Sequence, residues 1–478
     1  MEIILVRQPN SLHISKLTPY LEKYLQYSHR SFKKVGFKTQ NNFEKVMLHT
    51  LDGSGGAATL QGFFHVVKEL IEKNKDTYVI EDQRPIMPEV DWKAVIDLNL
   101  RDYHKPNIAK LLTCGESGII NCVTGFGKTY VILTICAAYP NLNIIVATPS
   151  KNVFNQTLNK FRAQFPNKNI GCMGDGNREI GDITISTYKS MKNCDLNRCQ
   201  LLIMDEIQES TTPTVQDCLV RMNPMRIYGL TATDEKLFSG ADKVIKGVFG
   251  ERIVEVLYDQ GVDNGAVVPC EVFMIRTGKS ERWFGKEHRS RIIKGIKMYD
   301  KRNDLVASVC SAVPEGWQTI VFVETIKDHL KELYERMPKG TKFVHRNSDK
   351  KDINGLALST KQQDEICAEF SRNEFQYLLA TEALEAGTDF PNLRVVVIAN
   401  GGSSYIGLTQ KAGRGARILP ESLRAELNVE PKEKFILIDF YDEHDEFLEA
   451  QSEKRLEIYK SHNWKINIVD NIEQIVWR

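Results

Sequence analysis

Short apolar runs alternate with helix-like segments from about residue 118 onward. Five of these runs read as buried strands, because each is apolar over most of its length. They are GIINCV at 118–123, NIIVATP at 143–149, DITIS at 182–186, LLIMDE at 201–206 and RIYGLTAT at 226–233. The segments between them are long enough for helical crossovers, so the pattern predicts βαβ units and a parallel sheet.

A second series of the same kind follows. Its runs are TIVFVE at 319–324, KFVHR at 342–346, YLLATE at 377–382, RVVVIAN at 394–400 and FILIDF at 435–440. The two series are separated near DQGVDNGAVVP, residues 259–269, where glycine, aspartate and proline interrupt both periodicities. We therefore predict an α/β protein with two parallel-sheet domains in tandem.

The first 88 residues have a different pattern. A strand-like MEIILV is followed by the helix-like LTPYLEKYLQYSHRSF at 17–32, then by shorter strand-like and helix-like segments, and this order predicts a small α+β domain. Residues 442 to about 463 predict a charged amphipathic helix. The predicted domains are the α+β domain at 1–88, the two parallel-sheet domains at 89–262 and 263–441, and a carboxyl-terminal helical extension at 442–478.

The composition excludes several classes of protein. Of 478 residues, 42% are hydrophobic and 26% are charged, and the mean hydropathy is −0.32, close to the average of soluble globular proteins. Membrane-spanning and signal-peptide patterns are lacking, so we expect a cytoplasmic protein without membrane contact. Lys plus Arg number 63 against 62 Asp plus Glu, so any basic surface must be local. The ten cysteines form no C-x-x-C pair, which favours reduced thiols over a zinc site.

The strand at 118–123 runs directly into TGFGKT and then into an apolar helix-like segment. Gly125 and Gly127 let the backbone curl around a phosphate, and the helix adds its positive dipole end. Lys128 would neutralise phosphate charge, and Thr129 would offer its hydroxyl to Mg²⁺. Cys122 replaces the usual first glycine of this motif, a mild departure because a small residue is sufficient there. The predicted nucleotide-binding residues are Thr124, Gly125, Phe126, Gly127, Lys128 and Thr129.

An acidic pair stands at the carboxyl end of the run at 201–206, where parallel sheets hold their ligands. Asp205 suits Mg²⁺ through water, and Glu206 can accept a proton from the water that attacks the γ-phosphate. Asp-Glu is common in loops, but its place about eighty residues after the phosphate loop favours catalysis. Thr231 and Thr233, at the end of the next run, are expected to lie alongside and to couple the phosphate state to the second domain.

The strongest basic run covers residues 276–302, with ten Lys or Arg against three acidic residues. It can neutralise phosphates through cations that include Arg282, Arg289 and Arg291, while Trp283 or Phe284 can stack on bases. A solvated amphipathic helix explains the run equally well. Residues 1–50 carry eight basic and three acidic residues, a net +5, which is consistent with phosphate contact by the first domain.

Seven motifs occur in one order along the chain: TGFGKT, VATPS at 146–150, STY at 186–188, DEIQ at 205–208, LTAT at 230–233, TEALEAGTDFP at 381–391 and QKAGRGAR at 410–417. The series resembles the successive motifs of superfamily 2 helicases and spans about residues 100–417. This resemblance implies two RecA-like lobes, ATP with Mg²⁺ as cofactors, nucleic acid as the partner, and ATP-driven translocation.

The same resemblance assigns roles to particular residues. Tyr103 and His104 match an adenine-side motif, although His104 replaces the usual Gln, and Gln208 stands where many relatives have His. The helical spacing of QKAGRGAR places Gln410 and Arg414 on one face, with Arg417 a further turn along. The implied catalytic set is Lys128, Asp205, Glu206, Gln208, Gln410, Arg414 and Arg417. Gly387 and Asp389 would link nucleic acid to ATP, and the implied nucleic-acid contacts are Pro149, Ser150, Thr187, Tyr188 and Thr381.

The order of a small amino-terminal α+β domain, a compact motor and a short tail is similar to the UvsW-type helicases of tailed phages. This likeness implies an ATP-dependent DNA helicase that unwinds or branch-migrates forks and Holliday junctions in the host cytoplasm, with phage recombination or replication proteins as further partners. An RNA helicase and the motor subunit of a restriction or defence complex are the alternatives among enzymes. A passive branched-DNA binding protein is the alternative outside them, and the complete catalytic set disfavours it.

Overall fold

The computed structural model describes residues 2–35, 38–232, 241–345, 356–381 and 390–477. The chain forms two compact units. The first unit comprises residues 1–122 and 127–256, and the second comprises residues 123–126 and 257–478. Within the described ranges, no helix is both long enough and apolar enough to cross a membrane.

A small sheet with helices on it opens the first unit. Its strands are β1 (Glu2–Arg7), β2 (Ser11–Ile14), β5 (His49–Leu51), β6 (Ala57–Leu60) and β7 (Thr77–Asp82), in the order β5-β6-β2-β1-β7. Its helices are α1 (Pro19–Tyr24) and α2 (Phe64–Lys73). Alternate residues of β1 are buried, and Leu5, Leu12, Phe63 and Val67 belong to a common core. This is the predicted α+β arrangement.

Two long strands form a second sheet in this part of the chain. β3 (Gln26–Val35) pairs in antiparallel register with β4 (Lys38–Met47), and the two form a sheet of their own among the described strands. The helix predicted over 17–32 is therefore too long, since α1 ends at Tyr24. Beyond it, hydrogen bonding to β4 decides the conformation, and no local pattern in the sequence signals that partner.

The rest of the first unit is the first α/β lobe. Its strands are β8 (Gly118–Cys122), β9 (Ile144–Thr148), β10 (Ile170–Gly174), β11 (Asn177–Glu179), β12 (Ile183–Thr187), β13 (Leu201–Asp205), β14 (Arg226–Thr231) and β15 (Arg252–Val256). The described strands follow the order β11-β10-β12-β9-β13-β14-β8-β15, and all pairings are parallel except β10 with β11. The helices are α3 (Trp92–Asp97), α4 (Lys105–Thr113), α5 (Lys128–Ala138), α6 (Lys151–Gln164), α7 (Pro213–Arg221) and α8 (Ala241–Phe249).

The second unit repeats this architecture. Its strands are β16 (Cys270–Arg276), β17 (Gln318–Phe322), β18 (Lys342–Val344), β19 (Tyr377–Ala380), β20 (Leu393–Ile398), β21 (Phe435–Tyr441) and β22 (Lys465–Val469), in the order β18-β19-β17-β20-β21-β16-β22 with parallel pairings. Its helices are α9 (Tyr258–Asp263), α10 (His288–Ile292), α11 (Asp300–Ala312), α12 (Lys331–Tyr334), α13 (Thr360–Ser371), α14 (Tyr405–Gly415), α15 (Glu421–Leu427) and α16 (Glu446–Ser461). The predicted α/β class with two parallel sheets is confirmed.

The carboxyl-terminal segment differs from the prediction of a helical extension. α16 lies inside the predicted helical range, but β22 follows it and pairs in parallel with β16. Tyr459, Trp464 and Val469 belong to the buried cores of the second unit. Residues 442–478 therefore complete the second lobe, because an edge strand and a core-packed helix cannot form a separate appendage.

Candidate nucleotide-binding site and nucleic-acid contacts

The predicted phosphate loop joins β8 to α5. Gly125 and Gly127 have φ angles of +97° and +99°, a left-handed backbone that glycine adopts without steric penalty. A Cβ on Gly127 would lie 3.1 Å from His104 Nε2, so a side chain there would also require the imidazole to shift. α5 begins at Lys128, and its first N–H groups and its dipole favour an anion at this end.

Lys128 contacts both carboxylates of the acidic pair. Its Nζ lies 3.9 Å from Asp205 Oδ1 and donates a hydrogen bond to Glu206 Oε1. Asp205 is the last residue of β13, and Glu206 follows with φ 54° and ψ 60°. A left-handed conformation costs a residue with a side chain on the order of 1 kcal/mol, and such conformations concentrate at functional sites. The sheet edge thus brings together the lysine and the acidic pair that the sequence predicted.

Burial and neighbouring charges shift the pKa values of Asp205 and Lys128. Burial raises the pKa of Asp205 to about 6, and the negative charge of Glu206 acts in the same direction while Lys128 opposes it. Burial acts to lower the pKa of Lys128, but the charges of Glu206 and Asp205 outweigh it, and that pKa lies above its ordinary value. Lys128 therefore remains a cation at neutral pH.

Side-chain hydrogen bonds continue from Glu206 to the end of β14. Gln208 Nε2 donates to Glu206 Oε2 over 2.7 Å, and Gln208 Oε1 accepts from Thr231 Oγ1 over 3.1 Å. Lys128, Glu206, Gln208 and Thr231 therefore form one connected chain. Thr231 lies alongside the acidic pair as predicted, whereas Thr233 falls outside the described residues.

Four of the predicted nucleic-acid contacts lie at or directly after the carboxyl ends of β9 and β12. Pro149 and Ser150 follow β9, and Ser150 Oγ accepts a backbone N–H of α6 over 3.4 Å as its N-cap. Thr187 ends β12. Tyr188 is 5% exposed, and its hydroxyl donates to the carbonyl oxygen of Asp205 over 2.5 Å. The predicted role is wrong for the Tyr188 side chain, because its phenol holds the main chain of the acidic pair; the sequence contains no signal for that long-range bond.

The residues of QKAGRGAR lie at the end of α14 and beyond it. Gln410 and Arg414 are on this helix, and Arg414 is buried. The prediction that Arg417 continues the helix is wrong. Arg417 instead forms an isolated antiparallel bridge with Val267, and its carbonyl oxygen accepts from Lys432 Nζ over 2.8 Å. Val267 and Lys432 therefore supply backbone hydrogen bonds of Arg417 that a further turn of α14 would otherwise supply.

The other motif of the second unit is described only in part. Thr381 follows β19, is buried, and donates its backbone N–H to Val344 over 3.3 Å. Gly387 and Asp389 lie outside the described residues. Their predicted roles remain predictions.

Two family matches cover the segments that carry these groups. Residues 97–236 match the family described as type III restriction enzyme, res subunit, and residues 300–419 match the helicase conserved C-terminal domain. Together they span a little over half of the chain and include the phosphate loop, the acidic pair and α14. The chain belongs to the superfamily 2 helicases. The helicase prediction is thereby confirmed, and the family implies ATP as the fuel.

Two curated relatives are similar to this helicase over most of its length. Putative helicase 22 of Sulfolobus islandicus filamentous virus is 23% identical and covers 94% of this chain and 82% of its own. The DNA 3′-5′ translocase XPB2 of Sulfurisphaera tokodaii is 23% identical and covers 70% of this chain and 82% of its own.

Two solved structures are similar to the helicase in fold. S. cerevisiae Dbp5 bound to RNA and ADP BeF3 matches with a TM-score of 0.52 at 16% identity, covering 79% of this chain and 92% of its own. T4 UvsW matches with a TM-score of 0.44 at 15% identity, covering 98% of this chain and 99% of its own. The Dbp5 similarity shows the fold, which is that of RecA-like lobes.

The nucleotide-binding residues of the helicase fit ATP with Mg²⁺. Thr129 is the second residue of α5 and is half-buried, and Asp205 supplies a carboxylate beside Lys128. Hydroxyl and carboxylate oxygens suit Mg²⁺.

The predicted adenine-side residue His104 is 2% exposed, and its ring centroid lies 4.4 Å from that of Tyr103. The imidazole therefore packs behind Gly127 of the phosphate loop. Its predicted contact with adenine remains a prediction.

The basic run of the helicase has several exposed members, among them one aromatic ring. Trp283 is 70% exposed, and Lys294 Nζ lies 5.7 Å from its ring centroid. Arg282 and Arg289 are also exposed. An open indole with a lysine near its ring, in a run with further exposed cations, matches what single-stranded nucleic acids need for stacking and phosphate neutralisation.

Two other members of the run are not available in this way. Phe284 is 1% exposed and packs edge-on against Tyr299 and His444, with ring centroids 5.2 and 5.3 Å away. The prediction that Phe284 stacks on bases is therefore wrong. Arg291 is half-buried and lies 3.5 Å from Asp445. It ties α10 to the start of α16, so part of its charge is used inside the protein.

Proposed function

We propose that this helicase is a DNA translocase that unwinds or branch-migrates forked and branched DNA. The family supplies the ATP-dependent helicase activity, and the choice of DNA and of branched substrates is the proposal. The observation that carries the contact with nucleic acid is the exposed Trp283 with Lys294 near its ring. Similarity to a DNA 3′-5′ translocase over 70% of the chain supports DNA.

The acidic cluster suggests how the fuel is used. Lys128 bonds Glu206 in this structure, and a bound phosphate would compete for the same ammonium. Glu206 would then depend on Gln208 to hold its carboxylate, which could accept a proton from the attacking water. Mg²⁺ would neutralise charge on the transferred phosphoryl group. Gln410, Arg414 and Arg417 keep the catalytic role that the family motif implies.

The amino-terminal α+β part supports a branched substrate. It is anchored on the first lobe by Glu116, which accepts from Arg7 Nη2 over 2.7 Å and from Arg84 Nη1 over 2.5 Å. Asn10 Nδ2 also donates to the carbonyl oxygen of Met222 over 2.8 Å. An element fixed to a motor lobe can hold one arm of a junction while the motor tracks along another arm.

Stimulation of ATP turnover tests this proposal. The full chain is assayed with forked DNA, linear duplex DNA, single-stranded DNA and a fork of the same sequence made of RNA. We expect the forked DNA to stimulate most and to be unwound, and Lys128→Ala to bind the fork without unwinding it. Equal or stronger stimulation by the RNA fork would overturn the DNA assignment, and no preference for forks over linear DNA would overturn the branched substrate.

A second candidate is the motor of a restriction complex. It is favoured by the description of the family that matches residues 97–236. Such a motor would track along intact linear duplex without separating its strands. Displacement of a triplex-forming strand from linear DNA, with no unwinding of forks, would favour this candidate.

A further inference from the structure

Two arginines and two aspartates form a buried ion cluster in the second unit. Arg302 Nε lies 2.6 Å from Asp442 Oδ1, and Arg455 Nε lies 2.8 Å from Asp439 Oδ2. Arg455 Nη2 also reaches Asp442 Oδ2 at 3.2 Å, and all four side chains are 0% exposed. Apolar residues of similar volume often stabilise a core as well as a buried ion pair does. The arrangement therefore calls for a role besides stability.

One nitrogen of each guanidinium group donates to the same loop, while Arg455 Nη2 also donates to the carbonyl oxygen of Phe440 over 2.7 Å. Arg302 Nη1 donates to the carbonyl oxygen of Ala399 over 2.7 Å, and Arg455 Nη1 donates to that of Gly401 over 2.9 Å. These carbonyls belong to residues 399–404, the loop that joins β20 to α14. Arginine suits this position because its planar fork can bind a carboxylate and a carbonyl at the same time.

One further hydrogen bond holds the same loop, and a neighbouring side chain leaves little space at one of its glycines. Ser403 Oγ donates to Gln451 Oε1 of α16 over 2.5 Å. Gly401 has φ +65°, and a Cβ there would lie 3.0 Å from Ile296 Cδ1. The loop is therefore held by residues of α11 and α16, and it lies close to Ile296 of the helical turn Ile293–Lys297. Ser404 then caps α14, its Oγ accepting from Gly407 N over 3.3 Å.

The loop determines where α14 begins, and α14 carries Gln410 and Arg414. We propose that Arg302 and Arg455 are positioning residues for ATP hydrolysis: they bind the carbonyls of the 399–404 loop and thereby hold Arg414 at the place and angle that turnover requires. This inference rests on the catalytic role proposed above for Arg414. In this proposal the two arginines contact neither the nucleotide nor the nucleic acid, and they act through α14.

The test uses Arg302→Lys and Arg455→Lys in the full chain. Each lysine keeps the positive charge opposite the aspartates but replaces the planar fork with a single ammonium nitrogen, which cannot reproduce the separated bonds to the carboxylate and to the loop carbonyl. We measure kcat and KM for ATP with saturating forked DNA, the fork Kd, and the stoichiometry of nucleotide binding, which counts folded sites. We expect kcat per folded site to fall about tenfold, as misplacement of a catalytic group does, with KM and Kd changed by less than about twofold.

Arg394→Lys is the matched control. Arg394 is 5% exposed and donates to the carbonyl oxygens of Glu430 and Pro431, but it lies at the opposite end of β20. We expect this variant to lower the melting temperature and to keep kcat per folded site. If the cluster variants behave like Arg394→Lys, the buried arginines are structural and the inference is overturned.

Gln451→Ala tests the same inference in a variant that keeps the buried ion cluster, in case the cluster variants do not fold. It removes the bond to Ser403 without disturbing a buried charge, and we expect a smaller fall in kcat together with faster amide exchange over residues 399–410. Unchanged kcat and unchanged exchange would overturn the inference. Arg414→Ala separates the two proposals. If this variant keeps its ATP turnover, the catalytic role of Arg414 is refuted. If it loses turnover while Arg302→Lys and Arg455→Lys keep theirs, only the positioning role is refuted.

Discussion

Gln208 Nε2 donates to Glu206 Oε2 over 2.7 Å while the carbonyl of the same amide accepts from Thr231. The Gln208 amide therefore holds the proposed catalytic carboxylate at one end and the last residue of β14 at the other. An amide can donate through its nitrogen and accept through its oxygen, so it can bond the carboxylate and the hydroxyl at the same time.

Removing this amide should slow turnover without preventing nucleotide binding. We expect Gln208→Ala to lower kcat for ATP by about tenfold, because Glu206 loses the neighbour that orients it, and to change KM by less than about threefold. Steady-state ATPase kinetics with saturating forked DNA measure both values. Gln216→Ala is the control, since Gln216 Nε2 donates only to the carbonyl oxygen of Ser210 among its described contacts. Equal effects of the two variants would contradict a special role for Gln208.

Lys128 should be essential for hydrolysis but not for binding of nucleic acid. Lys128→Ala removes the cation from the phosphate loop, and we expect ATP turnover to fall at least about 100-fold. Fork binding should stay within about threefold of the parent protein. Lys151→Ala serves for comparison, because Lys151 is 63% exposed and forms a surface pair with Asp175. A Lys128→Ala protein that still hydrolyses ATP at a tenth of the parent rate would refute the assignment.

Glu116 should make stability depend on pH at the acid end. Burial acts to raise the pKa of Glu116, but hydrogen bonds from Arg84 and Arg7 outweigh it and bring the pKa to about 2, against 4.5 in the absence of such partners. A lowered folded-state pKa stabilises above about pH 4.5, and this stabilisation disappears as the pH falls toward 2. We expect Glu116→Gln to lower the free energy of unfolding of the amino-terminal part by roughly 1–2 kcal/mol at pH 7, since the cluster is partly solvated.

Urea titrations at pH 7, 5, 4 and 3 measure that difference. The gap between the parent protein and Glu116→Gln should be constant from pH 7 to 5 and should narrow below about pH 4. Glu179→Gln is the control, because Glu179 is 63% exposed and lies 3.5 Å from Arg162, so its effect should stay within about 0.5 kcal/mol. A gap that widens on acidification would contradict the lowered pKa.

Trp283 and Phe284 should respond to substitution in opposite ways. Trp283→Ala removes an exposed ring, so we expect weaker binding of single-stranded DNA by about 1–3 kcal/mol and an unchanged melting temperature. Phe284→Ala removes a buried ring, so we expect the free energy of unfolding to fall by about 3–5 kcal/mol. Fluorescence anisotropy and thermal melts separate the two effects. Undiminished DNA affinity of Trp283→Ala would remove the main support for this contact surface.

Much of the fold follows from local sequence. The ten apolar runs predicted as strands coincide with β8, β9, β12, β13, β14 and β17 to β21, because strands buried on both faces need continuous apolar residues. β10, with its sequence IGCMG, carries too weak a pattern to be predicted. β16 contains the apolar run VFMI and could have been predicted by the same rule, whereas β22, only partly buried, depends on its pairing with β16.

The sequence by itself determined the order of the chemistry. The phosphate loop, the acidic pair and the α14 motif are short local patterns. The phosphate loop, for example, needs neighbouring glycines, a lysine and a threonine whatever surrounds it. Only the tertiary structure decided which charged and aromatic residues are buried. Arg302 and Asp442 are 140 positions apart and both fully buried, and Tyr188 reaches the main chain of Asp205. Burial is set by segments distant in the chain, and no local pattern contains that information.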